Sequence, residues 1–331
     1  MSIITPTNKK FKPYTLVSTR NMPRQQWLAM RRKGIGGSDC AAILGRSRWK
    51  SAYSVWVDKM GYADNKETEA LRQGRDFEEY VAKRFVEETG KRVYRANQMY
   101  IRKDKPWMLA NIDRRVFDDG VSISGLECKT SNGLWLREFK NGAYPDEYYF
   151  QCQHYMAVTG AKKWYLCVLV FQQEPQVYEI LRDEDDIRIL EDAEEAFWKN
   201  HIETAIEPPI DGSDSTARAL GRFYSRPDST MVINETDILE RLTSIKDALK
   251  DIEASKKSLE NLIKAEIGDS DGMISGEYSA TWRIKTRDSF DSKRFVKDNP
   301  SIDVKKYIKT ATYRELRVYG AETETQTEKE D

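Results

Sequence analysis

A carboxylate and an ammonium two residues apart have the types and spacing to act together on a phosphate. They stand in the strand-like run "GLECKTSNG", Gly125 to Gly133. Side chains at i and i+2 of a strand share a face, so Glu127 and Lys129 project together while Leu126 and Cys128 pack the other way. Taken alone, a Glu-x-Lys of this kind is usually an ion pair on an exposed strand. Fourteen residues before Glu127, however, "MLANIDRRV" places Asp113 at the end of another strand-like run, and "DDG" between them is a turn signal. Two adjacent strands would bring Asp113, Glu127 and Lys129 to one edge. Hard carboxylates side by side repel unless a cation lies between them, and oxygen ligands favour Mg²⁺. Lys129 beside a metal-bound water would orient it, help hold it as hydroxide and balance charge building on a phosphate. Those are the parts of metal-assisted phosphodiester hydrolysis.

A third carboxylate fits this chemistry. In "ETEALRQGRDFEEYVAKRFVEETG" the residues Gly74, Glu78, Val81, Ala82 and Phe85 fall on one face of a helix. Glu78 therefore lies in an inward stripe, where an unpaired charge is costly. A metal accounts for it, and so does an internal bridge to an Arg or Lys. Neighbouring Glu79 turns outward. The two histidines, His154 and His201, are too few for a histidine base or a histidine-held zinc. Carboxylates and lysine are left to do the work.

These residues need elements to position them. "PRQQWLAMRRKG" reads as a helix opened by Pro23 and stopped at Gly34, and Ser38 is placed to cap a short helix after "GIGG". "SAYSVWVDKMG" is a third helix, and the stripe-bearing helix, ending at Gly90, a fourth. Strands are expected around Val93, Tyr100, Trp107 to Asp113 and Val121 to Lys129. A helix over Asp146 to Thr159 precedes "WYLCVLVF", Trp164 to Phe171, a central buried strand too short to span a bilayer. "PQVYEIL" is a further strand, followed by an acidic helix reaching about Ile206. The fold class is α/β or α+β, a mixed sheet flanked by helices.

At 331 residues the chain has room for a second, smaller domain. The Pro, Gly and Ser of residues 209–235 mark a linker after a first domain over 1–208. An accessory module of helix and small β structure is expected over 236–320. Within it Ile238, Leu242, Ile245, Leu249, Ile252, Leu259 and Ile263, with Lys256 in the missing place, form a heptad seam over about 45 Å of helix. A helix lying on its own chain is favoured over an intermolecular coiled coil. "MISGEYSATWRIKT" alternates like a hairpin and "ATYRELRVYG" like a last strand. The acidic residues 321–331 read as a disordered tail.

Lys and Arg (54) balance Asp and Glu (54), so net charge excludes no partner, but its distribution is uneven. The first fifty residues hold eleven basic side chains against one acid, Asp39, which suits a polyanion. The four widely spaced cysteines form no C-x-x-C pair, so they are expected to be reduced core residues rather than zinc or iron–sulfur ligands. No charged-then-apolar segment opens the chain, and a cytoplasmic protein with no membrane partner is expected.

"NID" followed by "ECK" resembles the D…(D/E)-x-K core of restriction-endonuclease-like nucleases. The surroundings sharpen that likeness: "GIGGSDCAAILGRSRWKSAYSVWVDKMGY", then "GRDFEEYVAKRF", then "FQCQHYMAVTG". In this order they are similar to the YqaJ-type viral recombinase family, to which lambda exonuclease is related. The resemblance covers about Trp27 to Ile206 and extends to "MISGEYSATWRIKTRDSFDSKRF". The family's usual proline before the aspartate is here Ile112, a matter of strand-end shape rather than ligation.

The resemblance implies a restriction-endonuclease-like core and assigns Glu78, Asp113, Glu127 and the Cys128 carbonyl to metal binding. It assigns Lys129 to activating water, and implies two Mg²⁺ ions with Mn²⁺ as the alternative. The family's glutamines align with Gln151 and Gln153. On a helix these point about 200° apart, and Gln153 is expected at the catalytic site with Gln151 on the DNA. His154 and Tyr155 are left as helix-face residues. Gly36 and Gly37 expose backbone N–H groups near a helix start. With the family, Arg32 and Ser38 become the grip on a 5′-terminal phosphate. Arg46, Arg48 and Trp49 line the duplex path or belong to the surface or core.

The function so implied is a 5′→3′ exonuclease on double-stranded DNA ends, leaving a 3′ overhang for a single-strand annealing protein. A homotrimer and a phage or prophage origin in a bacterial cytoplasm are implied with it. An endonuclease on the same core and a DNA-binding recombination scaffold that does not cut remain the alternatives. The accessory module is expected to support the oligomer or dock the annealing protein.

Overall fold

The computed structural model describes residues 14–63, 68–117, 124–131, 139, 142–171, 173–224, 237–286, 292–300, 302, 303 and 306. The chain divides into two units, Met1–Arg226 and Pro227–Asp331.

In the first unit a five-stranded mixed sheet forms the centre. Its strands are β2 (Arg92–Arg95), β5 (Arg114–Phe117), β6 (Ser124–Ser131), β7 (Lys163–Val170) and β8 (Gln176–Leu181), side by side in that order. All neighbours are antiparallel except β6 and β7, which are parallel, with Glu127 opposite Leu166 and Lys129 opposite Val168. A parallel pair needs a crossover, and the helix α5 (Asp146–Thr159) lies within the connection. A smaller antiparallel sheet holds β1 (Tyr14–Ser18), β3 (Gln98–Ile101) and β4 (Leu109–Asn111). β1 has no counterpart among the strands expected from the sequence.

The period of two along β6 sorts its side chains as expected. Leu126 joins Val81, Ala82 and Phe85 of α4 (Glu69–Thr89) in one core, together with Tyr165, Cys167 and Leu169 of β7. Trp164, Leu166, Val168 and Val170 face the other way and pack with Cys152, Tyr155 and Met156 of α5. α4 ends at Gly90, whose φ of 68° is the left-handed cap that glycine adopts without penalty. Cys40, Cys152 and Cys167 are buried and Cys128 partly so, and all four are unpaired.

The remaining helices of this unit are α1 (Arg24–Arg31), α2 (Gly37–Ile43), α3 (Ala52–Lys59), α6 (Glu184–Phe197) and α7 (Asp214–Phe223), with a π-helical turn at Trp198–Ile202. α7 corrects the expected linker. Ser213 caps it, Thr216 is buried with its hydroxyl 2.7 Å from Ser51 Oγ, and Ala219 joins the core of α3. Pro208, Pro209 and Gly212 precede this helix, and Gly221 is accommodated within it. The rest of the expected linker, 225–235, lies outside the described residues.

The second unit contains α8 (Asp237–Ile267), the hairpin of β9 (Gly272–Ser275) and β10 (Tyr278–Thr281), and α9 (Ser292–Asp298). The hairpin matches the alternation in the sequence. The expected last strand and acidic tail lie outside the described residues. Within the second unit, Ile267 alone among the described residues of α8 is buried, so the described residues of this unit do not cover the seam. Among the described residues no helix is long and apolar enough to cross a membrane.

Gly125 fixes where β6 meets β7, because a Cβ there would run into the Trp164 ring. Gly125→Ala is therefore expected to cost about 1–3 kcal/mol through overpacking. The midpoint of urea denaturation checks this.

Candidate active site

Asp113 sits where the chain passes from the small sheet to the large one, between β4 and β5. Its Oδ2 accepts from the Cys128 backbone N–H at 2.8 Å, which draws the carboxylate over β6. Glu127 is buried on the α5 side of β6. Its Oε1 accepts from Lys129 Nζ at 2.7 Å and from Gln151 Nε2 at 2.6 Å, while Oε2 is buried with no hydrogen-bond partner. Burial raises the Asp113 carboxyl well above the usual range, and the nearby carboxylates of Glu127 and Glu78 add to this. An orphaned carboxylate oxygen beside a second carboxylate that resists ionisation is a donor set short of a cation. Oxygen donors of this kind fit a hard divalent ion.

Lys129 is held as an ammonium. Burial works against its charge, but Glu127 outweighs burial and keeps its affinity for the proton above the ordinary value. Its Nζ also donates to Gln151 Oε1 at 3.0 Å and lies 5.1 Å from the centre of the Tyr148 ring. Glu78 lines the same cleft, and it pairs with the nearly buried Arg114. Metal ligand and internal bridge were alternatives in the sequence; the geometry places Glu78 both against an arginine and facing the cleft. Arg114 also binds the Asp113 carbonyl at 2.8 Å and Glu79 at 3.0 Å.

Gln151, not Gln153 as expected, meets the carboxylate and lysine. Gln151 joins Glu127, Lys129 and the Tyr155 hydroxyl, the last at 2.8 Å. Gln153 is buried away from them, donating to the Leu181 carbonyl at 2.8 Å and accepting from Asp183 N–H at 3.1 Å. It ties β8 to the start of α6 and is removed from the catalytic set. Tyr155 and His154 are buried rather than surface residues. The His154 ring lies 2.7 Å from Glu194 Oε1 and 2.8 Å from the Leu109 carbonyl, so both nitrogens are engaged.

The glycine segment lines the same cleft, of about 1410 Å³. α2 starts at Gly37 with Gly36 as its cap, so Ser38 lies inside the first turn rather than capping it. The Ser38 hydroxyl thereby accepts from Arg31 Nη2 at 2.7 Å. The sequence pointed to Arg32. That residue lines the cleft too, with a buried Nε that makes no hydrogen bond, but Arg31 is the one that meets Ser38. Gly37 leaves room for α5: a Cβ there would come within 2.7 Å of the Tyr155 ring and 3.1 Å of Gln151 Cγ.

Beneath the glycines Asp39 is 1% exposed and gathers three cations. Lys59 Nζ is 2.7 Å away, Lys50 Nζ 2.8 Å and Arg31 Nη2 3.6 Å. Burial works to raise the Asp39 carboxyl, but Lys50, Lys59 and Arg31 together hold it well below the usual carboxylate range. One anion answers three cations, which leaves a surplus of positive charge beside Gly36, Gly37 and Ser38. Sequence reasoning missed Lys50, Lys59, Arg31 and Arg114, because no local pattern links them to the motif.

Arg46, Arg48 and Trp49 form a loop tied to the start of α5. Trp49 Nε1 donates to Glu147 at 3.0 Å, Arg48 Nε lies 3.3 Å from it, and Arg46 lies 3.7 Å from Asp146.

Lys59→Met would leave Asp39 buried with its closest partner gone, and is expected to cost about 3–5 kcal/mol in unfolding free energy. The depressed Asp39 carboxyl contributes stability that is present above its unfolded pKa, near 4, and lost as pH falls through the folded value. Asp39→Asn is expected to flatten the fall of Tm on the acid side of about pH 4, and a pH series of thermal melts tests this.

Residues 26–162 match the YqaJ-like viral recombinase domain. The uncharacterized protein YqaJ of Bacillus subtilis (strain 168) is 32% identical over 306 residues, covering 90% of this chain and 94% of that protein. An alkaline exonuclease from Laribacter hongkongensis is similar in structure at 20% identity, over 54% of this chain and 93% of that one, with a TM-score of 0.46. A phage-related exonuclease from Haemophilus somnus 129PT is 16% identical over 52% and 96%, with a TM-score of 0.39. The identity with the Bacillus subtilis protein extends over nearly all of both chains, and the chain belongs to the YqaJ-like viral recombinase family.

Proposed function

We propose that the protein is a Mg²⁺-dependent exonuclease that enters linear double-stranded DNA at an end and hydrolyses one strand in the 5′→3′ direction. The observation that supports this most is a single cleft lined at one side by Glu78, Asp113 and Glu127 and at the other by Arg31, Gly37 and Ser38. One side is short of a cation and the other holds a surplus of positive charge. A strand end with a scissile phosphodiester and a terminal phosphate matches both.

Glu78, Asp113 and Glu127 would hold the divalent ion, with the Cys128 carbonyl as a further ligand. Bound there, the ion supplies Lewis acidity toward a phosphoryl oxygen and lowers the pKa of water. The Lys129 ammonium can donate a hydrogen bond to the attacking water or to the phosphate and offset the charge that builds on it. Gln151 holds Lys129 and Glu127 at once, fixing the direction of both. At the far side Arg31 and Ser38 receive the 5′ phosphate, with the N–H groups of Gly36 and Gly37 beside them and Arg32 available. A terminal phosphate carries more negative charge than an internal diester, so this end of the cleft favours strand ends over continuous duplex. The 3′ overhang left behind would pass to a single-strand annealing protein in a phage-type recombination reaction. A homotrimer encircling the DNA in a bacterial cytoplasm accords with the family.

The test is digestion of a linear duplex with one 5′-phosphorylated blunt end, each strand labelled in turn, beside a covalently closed circle. With Mg²⁺ the 5′-phosphorylated strand is expected to disappear while the circle survives, and chelation with EDTA is expected to stop the reaction. Lys129→Met and Asp113→Asn should each slow cleavage by about 10²–10³-fold or more, the scale of losing one preorganised charge at a reacting phosphate. Arg31→Ala should erase the preference for a 5′ phosphate over a 5′ hydroxyl with a smaller loss on the phosphorylated end. A cut circle would establish an endonuclease. DNA bound but left whole by folded protein would establish a recombination scaffold.

A further inference from the structure

The seam of α8 is an apolar face without a cover among the described residues. Ile238 is 78% exposed, Ile245 56%, Leu249 53%, Ile252 63% and Leu259 62%. Leu242 and Ile263 continue the stripe at the same spacing. We infer that α8 pairs with α8 of a second copy of this chain, and that the two helices run antiparallel.

The charges choose both the occupant and the direction. In heptad terms Leu242, Leu249, Lys256 and Ile263 are a positions, and Ile238, Ile245, Ile252 and Leu259 are d positions. A parallel pair would place Lys256 against Lys256 in one layer and Arg241 beside Lys246 of the second copy. Both contacts are repulsive. In an antiparallel pair centred between Lys250 and Asp251, Leu242 meets Leu259, Leu249 meets Ile252, Ile263 meets Ile238, and Lys256 meets Ile245. Every layer then holds at least one apolar side chain. The two Lys256 residues lie about 16 Å apart in height, and Lys246 flanks Glu260 of the second copy on both sides of the axis. Only Glu253, close to the axis, faces its own like charge. Lys256 also limits the assembly to a narrow interface. Its ammonium is 3.5 Å from Glu260 within its own helix, at the edge of the seam. From a two-helix interface it reaches water along its apolar stem, whereas a wider bundle would enclose it.

This pairing rests on the second unit alone and is independent of the nuclease reading. The test uses the full chain carrying Glu253→Cys or Lys256→Cys, both exposed on α8 of the single chain, where a cysteine leaves the fold intact. After mild oxidation and non-reducing electrophoresis, Glu253→Cys is expected to give at least tenfold more covalent dimer than Lys256→Cys. Wild type is the control, since three of its four cysteines are buried. Light scattering of Leu249→Asp/Ile252→Asp is expected to show half the wild-type mass. Any assembly made by the first unit survives in that variant, so the twofold ratio is the reading. A dimer from Lys256→Cys instead would establish parallel helices and overturn the proposal. No cross-link at either position, with unchanged mass in the double variant, would show that the chain covers its own seam, and would also overturn it.

Discussion

Two carboxylates converge on one point of the first unit, and much of the surrounding structure is arranged to hold them there against their repulsion. Asp113, just before β5, and Glu127, within β6, are brought together by the ladder between β5 and β6. Each is then held by a donor from elsewhere: the Cys128 N–H on Asp113, and Lys129 with Gln151 on Glu127. None of these donors cancels the charge fully. The Asp113 carboxyl stays hard to ionise and one oxygen of Glu127 stays without a partner. These unsatisfied oxygens are what fit the pair to the divalent ion of the proposed function. A more complete set of internal bonds would make it more stable and less able to bind one.

The same helix that supports the carboxylates sets their distance from the glycine segment. α5 presents Gln151 to Glu127 and, one turn later, Tyr155 to Gly37. The hydrogen bond between Gln151 and Tyr155 joins the two contacts. The spacing between the acidic and basic sides of the cleft is therefore a property of one rigid helix and a glycine that lets it approach. Any side chain at Gly37 acts on both ends at once. The proposed end-directed cleavage would need such a fixed interval, and a helix supplies one more firmly than a loop does.

What was legible in the sequence follows from which periods were informative. The period of two along β6 separates Glu127 and Lys129 from Leu126 without ambiguity, because the two faces meet different cores. Helix periodicity identified Glu78 for the same reason, since α4 is buried on one side only. It failed on α5, where Gln151, Cys152, Gln153, His154 and Tyr155 are all buried. With no exposed face there is no contrast, and Gln153 could not be told from Gln151. Arg31 and Arg32 were confused because neighbours on a helix point about 100° apart, and only the fold shows which one meets Ser38. Lys50 and Lys59 were invisible for a different reason: they reach Asp39 from 11 and 20 residues away. The expected linker failed through composition, since Pro and Gly precede α7 and a single Gly221 inside it does not break the helix. The reading of α8 as covered by its own chain weighed the lysine gap as a defect. In an antiparallel pair the gap is tolerated.

Folded chains place charge outside and apolar surface inside, and this one reverses the rule in two places. The cleft keeps carboxylates together with too little positive charge beside them, while α8 keeps a row of leucines and isoleucines in water. Each reversal costs free energy in the isolated chain, and a sequence that keeps such a cost does so where something arrives to remove it. The remedy differs by chemistry. A hard cation and a phosphate answer the cleft, because its unsatisfied groups are oxygens on one side and guanidinium and ammonium groups on the other. Only another apolar face answers α8, and the alternation of lysine and glutamate along its flanks makes an inverted copy of itself the best match the chain contains. In the proposed function the first unit receives an ion and a polyanion, and in the proposed pairing the second receives its own kind.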